Sequence, residues 1–155
     1  MSGSLSNHPT MAREDFSFFH SLRVRWAEVD MQGIVFNGHY LTYFDVAFTE
    51  YWRETGLPSV LQQAADGKEM FARKATIEYQ APARFDDVLE IGVRCAGFGR
   101  TSVRFVVEIH RGEEHLISGE LVYVYAATSI RKGVPWPDAW RETITRFEKL
   151  APEAL

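Results

Sequence analysis

The stretch Trp26-Ala-Glu-Val-Asp30-Met-Gln-Gly33-Ile-Val-Phe-Asn37-Gly-His-Tyr40 runs without a gap into an aromatic-rich segment that ends near Gly56. In that segment Tyr40, Phe44, Ala47, Phe48 and Tyr51 fall at i, i+4, i+7, i+8 and i+11, which is one stripe of an α-helix. Gly56-Leu57-Pro58 is a stop signal for it. Just upstream, Asp30 stands on a turn containing Gly33, a few residues before the expected helix start. The first N–H groups of a helix lack intrahelical acceptors and carry partial positive charge. A carboxylate beside such a set of donors is an arrangement that can do chemistry.

Outward from this helix the period changes to two. Phe16, Phe18, His20, Leu22, Val24 and Trp26 alternate with Ser17, Phe19, Ser21, Arg23 and Arg25, the pattern of a half-buried strand. After Gly67 come four more runs, with faces Phe71, Ala75, Ile77, Tyr79, then Leu89, Ile91, Val93, Cys95, then Val103, Phe105, Val107, Ile109, and lastly Ile117, Leu121, Tyr123, Tyr125. The separators Phe85-Asp86-Asp87, Gly97-Phe98-Gly99 and Arg111-Gly112-Glu113-Glu114 are short, so consecutive strands are expected to pair antiparallel. Ser59 is placed to cap a short helix through Ala64, and Asp138 to cap a last helix from Ala139 to about Leu150. The expected fold is α+β: a five-stranded antiparallel sheet wrapped around one long helix, plus a C-terminal helix. Residues 1–14 lack periodicity and read as a flexible tail, leaving 15–155 as a single domain. Such a sheet leaves an edge strand exposed, and pairing with a second copy is the remedy expected.

Composition limits the function classes. With 155 residues, 46% hydrophobic, there is material for one core, and a net charge of −4 gives no field that would draw the chain to nucleic acid or anionic lipid. The lone Cys95 precludes an internal disulfide and fits a reducing compartment; with no signal peptide or membrane-length apolar run, a cytoplasmic protein is expected.

The segment Val24 to Asp45 resembles the opening of hotdog-fold acyl-CoA thioesterases of the 4-hydroxybenzoyl-CoA thioesterase class. Pro82-Ala-Arg-Phe-Asp-Asp-Val-Leu89 and Gly99-Arg-Thr-Ser-Val-Arg-Phe105 also look like that family's second-strand exit and third-to-fourth-strand turn. The resemblance implies hydrolysis of an acyl-CoA to free acid and coenzyme A, with no cofactor beyond the coenzyme A of the substrate; the exposed strand edge, buried equally by either assembly, points to a homodimer or homotetramer. The resemblance maps the family's aspartate onto Asp30 and its carbonyl-polarising backbone amide onto Asn37. Gly33 would let the backbone approach the substrate, Phe36 and Tyr40 would flank the acyl group, and Thr76 would line its pocket. Arg100, Thr101 and Ser102 would meet the nucleotide end or the pantetheine arm. Thioester hydrolysis needs a nucleophile or activated water and a stabiliser for the oxyanion, which Asp30 and the helix amides supply in kind.

Other readings stand beside these. An Asp before a Gly in a turn ordinarily serves by hydrogen bonding to backbone. Glu28 reads as a solvated strand-end charge rather than a second site carboxylate. His20, His39, His110 and His115 share no metal-ligand spacing with Cys95 or one another, so no metal is expected; His39 alone sits beside the proposed site. Cys95 reads as a buried, inert thiol. An acyl-carrier-protein thioesterase, a hotdog hydratase or dehydratase, and a non-catalytic thioester binder remain as alternatives.

Overall fold

The computed structural model describes residues 13–155. The expected tail falls largely outside that range; within it, Arg13–Asp15 forms a 3-10 turn whose Arg13 guanidinium binds the Gly112 carbonyl and the Glu90 carboxylate. The strands β1 (Phe19–Arg23), β2 (Lys68–Tyr79), β3 (Val88–Phe98), β4 (Ser102–Arg111) and β5 (Glu114–Ala127) form an antiparallel sheet in the order β1-β3-β4-β5-β2. Against one face lies α1 (His39–Thr55), followed by the short α2 (Val60–Ala65); β6 (Lys132–Gly133), α3 (Asp138–Phe147) and β7 (Glu153–Ala154) complete the chain.

The helical stripe is the core. Tyr40, Tyr43, Phe44, Ala47, Phe48, Tyr51 and Trp52 of α1 are all buried. They meet the alternate residues of the sheet, the β3 set Leu89, Ile91, Val93, Cys95 and the β4 set Val103, Phe105, Val107, Ile109, which retain no solvent exposure. Phe48 packs on Phe105 and Tyr123 with ring centroids 4.9 and 4.5 Å away. Each such side chain contributes about 1.5–3 kcal/mol by leaving water. Helix and sheet meet closely at Gly119 on β5, where a Cβ would sit 2.2 Å from the Phe44 ring and 2.6 Å from the Thr76 carbonyl.

Several expectations need correction. The first strand is shorter than its alternation: Phe16 is buried before it starts, and the chain turns into a 3-10 turn at Trp26–Glu28, with Trp26 exposed. Consecutive pairing holds for β3-β4 and β4-β5, but β2 pairs with β5 and β1 with β3. The link after β2 is no hairpin. Its eight residues, 80–87, start with Gln80 and Ala81 donating to the Leu116 carbonyl and go on to pair with the loop before α1 at Val35 and Ile34. The last helix begins at Asp138 itself, with Pro137 in the cap position and no side-chain cap, and it ends at Phe147. Ser59 caps α2 as expected, reciprocally with Gln62.

Candidate active site

The loop from Arg25 to Gly38 is built by short-range bonds. Glu28 closes the 3-10 turn by accepting the Arg25 N–H at 2.7 Å and its guanidinium at 2.9 Å. It is only 6% exposed, so the strand-end charge is buried rather than solvated. Burial opposes its ionisation, but the Arg25 bonds outweigh burial and hold the carboxyl below its ordinary range. Glu28 is thus a latch for the turn and lines no part of the site.

Past this latch the loop doubles back. Val29 bridges to Val35, the Asp30 N–H donates to the Ile34 carbonyl at 2.9 Å, and the Gly33 N–H donates to the Asp30 carbonyl at 2.9 Å. Gly33 has φ +75°, a left-handed conformation that costs any residue with a Cβ. Asp30 Oδ1 accepts the Gln32 N–H at 2.8 Å, which fixes the carboxylate on the turn; Oδ2 has no donor among the described residues. The turn-holding and chemical readings of Asp30 are therefore compatible, one oxygen for each.

Helix α1 begins without a side-chain cap. Gly38 holds its cap position and offers no side-chain acceptor, and the first turn has no acidic residue. The Phe36 carbonyl accepts the His39 N–H at 2.9 Å, toward the helix. Because a trans peptide points its N–H opposite its carbonyl, the Asn37 N–H faces away from the helix, where among the described residues it has no acceptor. The Tyr79 hydroxyl donates to the Asn37 carbonyl at 3.3 Å and ties the helix start to the end of β2.

These pieces surround an open hollow of about 400 Å³. Asp30, Phe36, Asn37 and Tyr40, four of the residues singled out in the sequence, all line it. Tyr40 is its buried floor, with the hydroxyl accepting the Ala83 N–H at 3.0 Å, while Phe36 is a half-exposed wall. Gly33 shapes the loop without lining the hollow, and His39 packs edge-on against the Phe36 ring instead of entering it. The opposite wall, Tyr79 to Pro82, was not anticipated. Its signals in the sequence are the tyrosine that ends the β2 pattern and Pro82, the start of the run that resembles the family's second-strand exit.

The remaining candidates lie elsewhere in the chain. Thr76 is exposed on β2 opposite Glu120. The Arg100 to Ser102 turn joins β3 to β4 and is held by the Gly99 N–H donating to the Ser102 carbonyl, with Arg141 bound to the Gly99 and Arg100 carbonyls. Beside it Thr101 abuts Gly133, part of a second hollow of about 580 Å³ that also contains Phe71, Arg73, Arg131 and Glu69. Cys95 is buried, and burial pushes its thiol well above the ordinary value.

The sequence profile of the thioesterase superfamily matches residues 32–118, more than half of the chain, and the match spans the helix start, the wall of the hollow and the β3-β4 turn. The chain belongs to the thioesterase superfamily. Among its relatives is an acyl-CoA thioester hydrolase, YbgC of Escherichia coli O157:H7, 32% identical over 112 residues that make up 71% of this chain and 81% of the relative. A thioesterase from Thermus thermophilus, solved with coenzyme A and Zn, superposes with a TM-score of 0.78 at 26% identity, covering 88% of this chain and 98% of that one. The fold is also shared with a 1,4-dihydroxy-2-naphthoyl-CoA thioesterase from Synechocystis, at a TM-score of 0.76 and 23% identity over 82% and 94% of the two chains. This thioesterase is a thioester hydrolase, and its sheet around α1 is the hotdog arrangement of that family.

Proposed function

We propose that the hollow beneath the α1 start hydrolyses acyl-CoA thioesters, with Asp30 and the Asn37 N–H as its two working groups. The observation that carries this reading is the meeting of an Asp30 carboxylate, free at Oδ2, with an uncapped helix start in one cavity. The thioester carbonyl oxygen accepts from the Asn37 N–H, and the α1 dipole stabilises the negative charge that develops there. Asp30 then acts in one of two ways. As nucleophile, its oxygen bonds to the carbonyl carbon, the coenzyme A thiolate leaves, and water cleaves the resulting anhydride. As general base, it takes a proton from water while that water attacks the carbonyl carbon, and the tetrahedral intermediate then collapses with cleavage of the C–S bond, the coenzyme A thiolate leaving and receiving the proton. The naming of the Escherichia coli relative as an acyl-CoA thioester hydrolase supports coenzyme A as the carrier.

The nucleotide end of such a substrate is assigned to a second copy. Strand β2 is the last of the sheet, with Phe71 and Tyr79 41% and 55% exposed. Its Tyr79 end borders the catalytic hollow, while its Lys68 end lies beside the second hollow and the Thr101 turn. Antiparallel pairing of two β2 edges sets the Lys68 end of one copy against the Tyr79 end of the other. The Arg100, Thr101 and Ser102 turn of one protomer, with Arg73 and Arg131 nearby, then faces the hollow of its partner and offers positive charge to phosphates. The single buried Cys95 suits a cytoplasmic setting, and no helix among the described residues is long and apolar enough to cross a membrane.

The test is release of free thiol from aryl-, short- and long-chain acyl-CoA esters, beside an enoyl-CoA absorbance assay for hydration. Thiol release that collapses in Asp30→Ala supports the reading; release that persists at wild-type rate, or hydration without release, ends it. A single turnover in 18O water tests the nucleophile role of Asp30: label in the enzyme establishes it, because water that opens the anhydride at the Asp30 carbonyl leaves its oxygen there, whereas the general-base route labels the product acid alone.

A further inference from the structure

The β4-β5 hairpin gathers three metal-binding side chains on the sheet face turned away from α1. Val107 and Ile109 of β4 point into the core, so Glu108 and His110 point to the other side. His115 on β5 is the ladder partner of His110, and their rings stack with centroids 4.9 Å apart and planes 20° apart. One ligand atom from each of Glu108, His110 and His115 lies within 4.8 Å of the other two.

The hydrogen bonding leaves ligand capacity over. His110 is 6% exposed, with Nε2 at 2.9 Å from a Glu108 oxygen, yet its buried Nδ1 has no partner among the described residues. A histidine kept for packing satisfies both nitrogens; this one does not. His115 Nε2 lies 2.9 Å from the Ile117 carbonyl, which only accepts, so Nε2 carries the proton and Nδ1 a lone pair. Ser118 Oγ, 2.8 Å away, helps hold that ring. A carbonyl on one ring nitrogen, as at His115, is how metal-binding imidazoles are oriented; at His110 an ion shared with Glu108 takes Nε2 in place of that hydrogen bond, and the ring proton passes to Nδ1. Arg13, whose charge reaches His110, is offset by its ion pair with Glu90.

We propose that Glu108, His110 and His115 bind a divalent transition-metal ion of the zinc class, at a site separate from the thioester hollow. Two imidazoles and a carboxylate suit zinc, cobalt or nickel, whereas magnesium and calcium take oxygen ligands. Tetrahedral ligands on bonds of ~2.1 Å stand ~3.4 Å apart, a closure that side-chain rotation supplies, with water as fourth ligand. Next to the cluster, the Leu116 carbonyl accepts from the Gln80 and Ala81 N–H groups at 2.9 and 3.1 Å, so a bound ion braces the strand start on which the hollow's wall rests.

Titrating tag-free, chelator-stripped protein with Zn2+ by calorimetry tests this. One saturable equivalent and a raised Tm are expected. His115→Gln, at a half-buried position, and Glu108→Gln, an isosteric change at a buried one, should each weaken uptake at least ~10-fold while the metal-free Tm holds. His110→Ala should do the same where it folds. No saturable uptake, or uptake unchanged in His115→Gln and Glu108→Gln, overturns the proposal.

Discussion

Asp30 uses one carboxylate oxygen on the Gln32 N–H and leaves the other toward the hollow, so its removal should be read in rate rather than stability. Asp30→Ala should lower kcat by about 10²- to 10⁴-fold, the usual worth of a positioned acid–base group, with Tm nearly unchanged. Asp30→Asn needs mass spectrometry alongside, since deamidation would restore the carboxylate. The role given to Asn37 is a main-chain role, which makes it separable from its side chain. Asn37→Ala should keep kcat within about threefold, whereas Asn37→Pro, which deletes the N–H, should lose about 10²- to 10³-fold. Circular dichroism checks that Asn37→Pro still folds, and equal loss in both variants would move the oxyanion contact elsewhere. At this scale the sequence was legible where structure is local: the turn carrying Asp30 and Gly33 lies just before the helix start and needed no tertiary contact to be seen, while the role of Asn37 came with the family resemblance. Glu28 was misjudged because its burial comes from Arg25 and the surrounding fold, and the Glu108, His110, His115 set was invisible because a hairpin, not a fixed spacing, assembles it.

Periodicity carried α1 and the faces of β3, β4 and β5, since those elements bury a whole stripe and the pattern follows directly from burial. It did not carry the placement of β2, because pairing depends on where the Gln80 to Asp87 link is anchored, and its anchors, Leu116, Val35 and Ile34, are remote in sequence. The end of α3 hid a second tertiary device. Glu148, 7% exposed, accepts from the Tyr51 hydroxyl at 2.6 Å and the Cys95 N–H at 3.2 Å, tying the helix end to the core, while its second oxygen is buried and unpartnered. Burial raises its pKa despite those bonds. The native state therefore binds this proton more tightly than the unfolded chain, so the stabilisation is present below the unfolded carboxyl pKa and is lost as pH rises through the raised one. Urea unfolding across that range should show wild-type stability falling with rising pH, and Glu148→Gln, which keeps an acceptor for both donors, should flatten the fall. A parallel slope in the variant would assign the dependence to another group. Where Phe44 of α1 crosses β5, Gly119→Ala should cost about 1–3 kcal/mol or more, because the new Cβ meets the Thr76 backbone carbonyl as well as the Phe44 ring, seen as a lower Tm.

For the whole molecule, the decisive question is whether the Arg100 turn serves its own hollow or that of a second copy. Within one chain the turn does not line the Asp30 hollow, yet the two lie toward opposite ends of the exposed edge strand β2. Light scattering should give the mass of two or four 17.8 kDa chains; a fully active monomer would end the two-copy arrangement. Complementation then tests the geometry. In a mixed dimer of Asp30→Ala with Arg100→Ala, one hollow lacks Asp30 and faces the altered turn, while the other has Asp30 and faces an intact turn. If turns act across the interface, combining two impaired proteins should restore about a quarter of wild-type activity after random exchange, because half the dimers are mixed and each has one complete site. If the turn acts within its own chain, neither hollow of the mixed dimer is complete and the rate should remain the average of the two parents. Restoration would join the remote candidates Arg100, Thr101 and Ser102 to Asp30 through symmetry, a relation that one chain's sequence does not display.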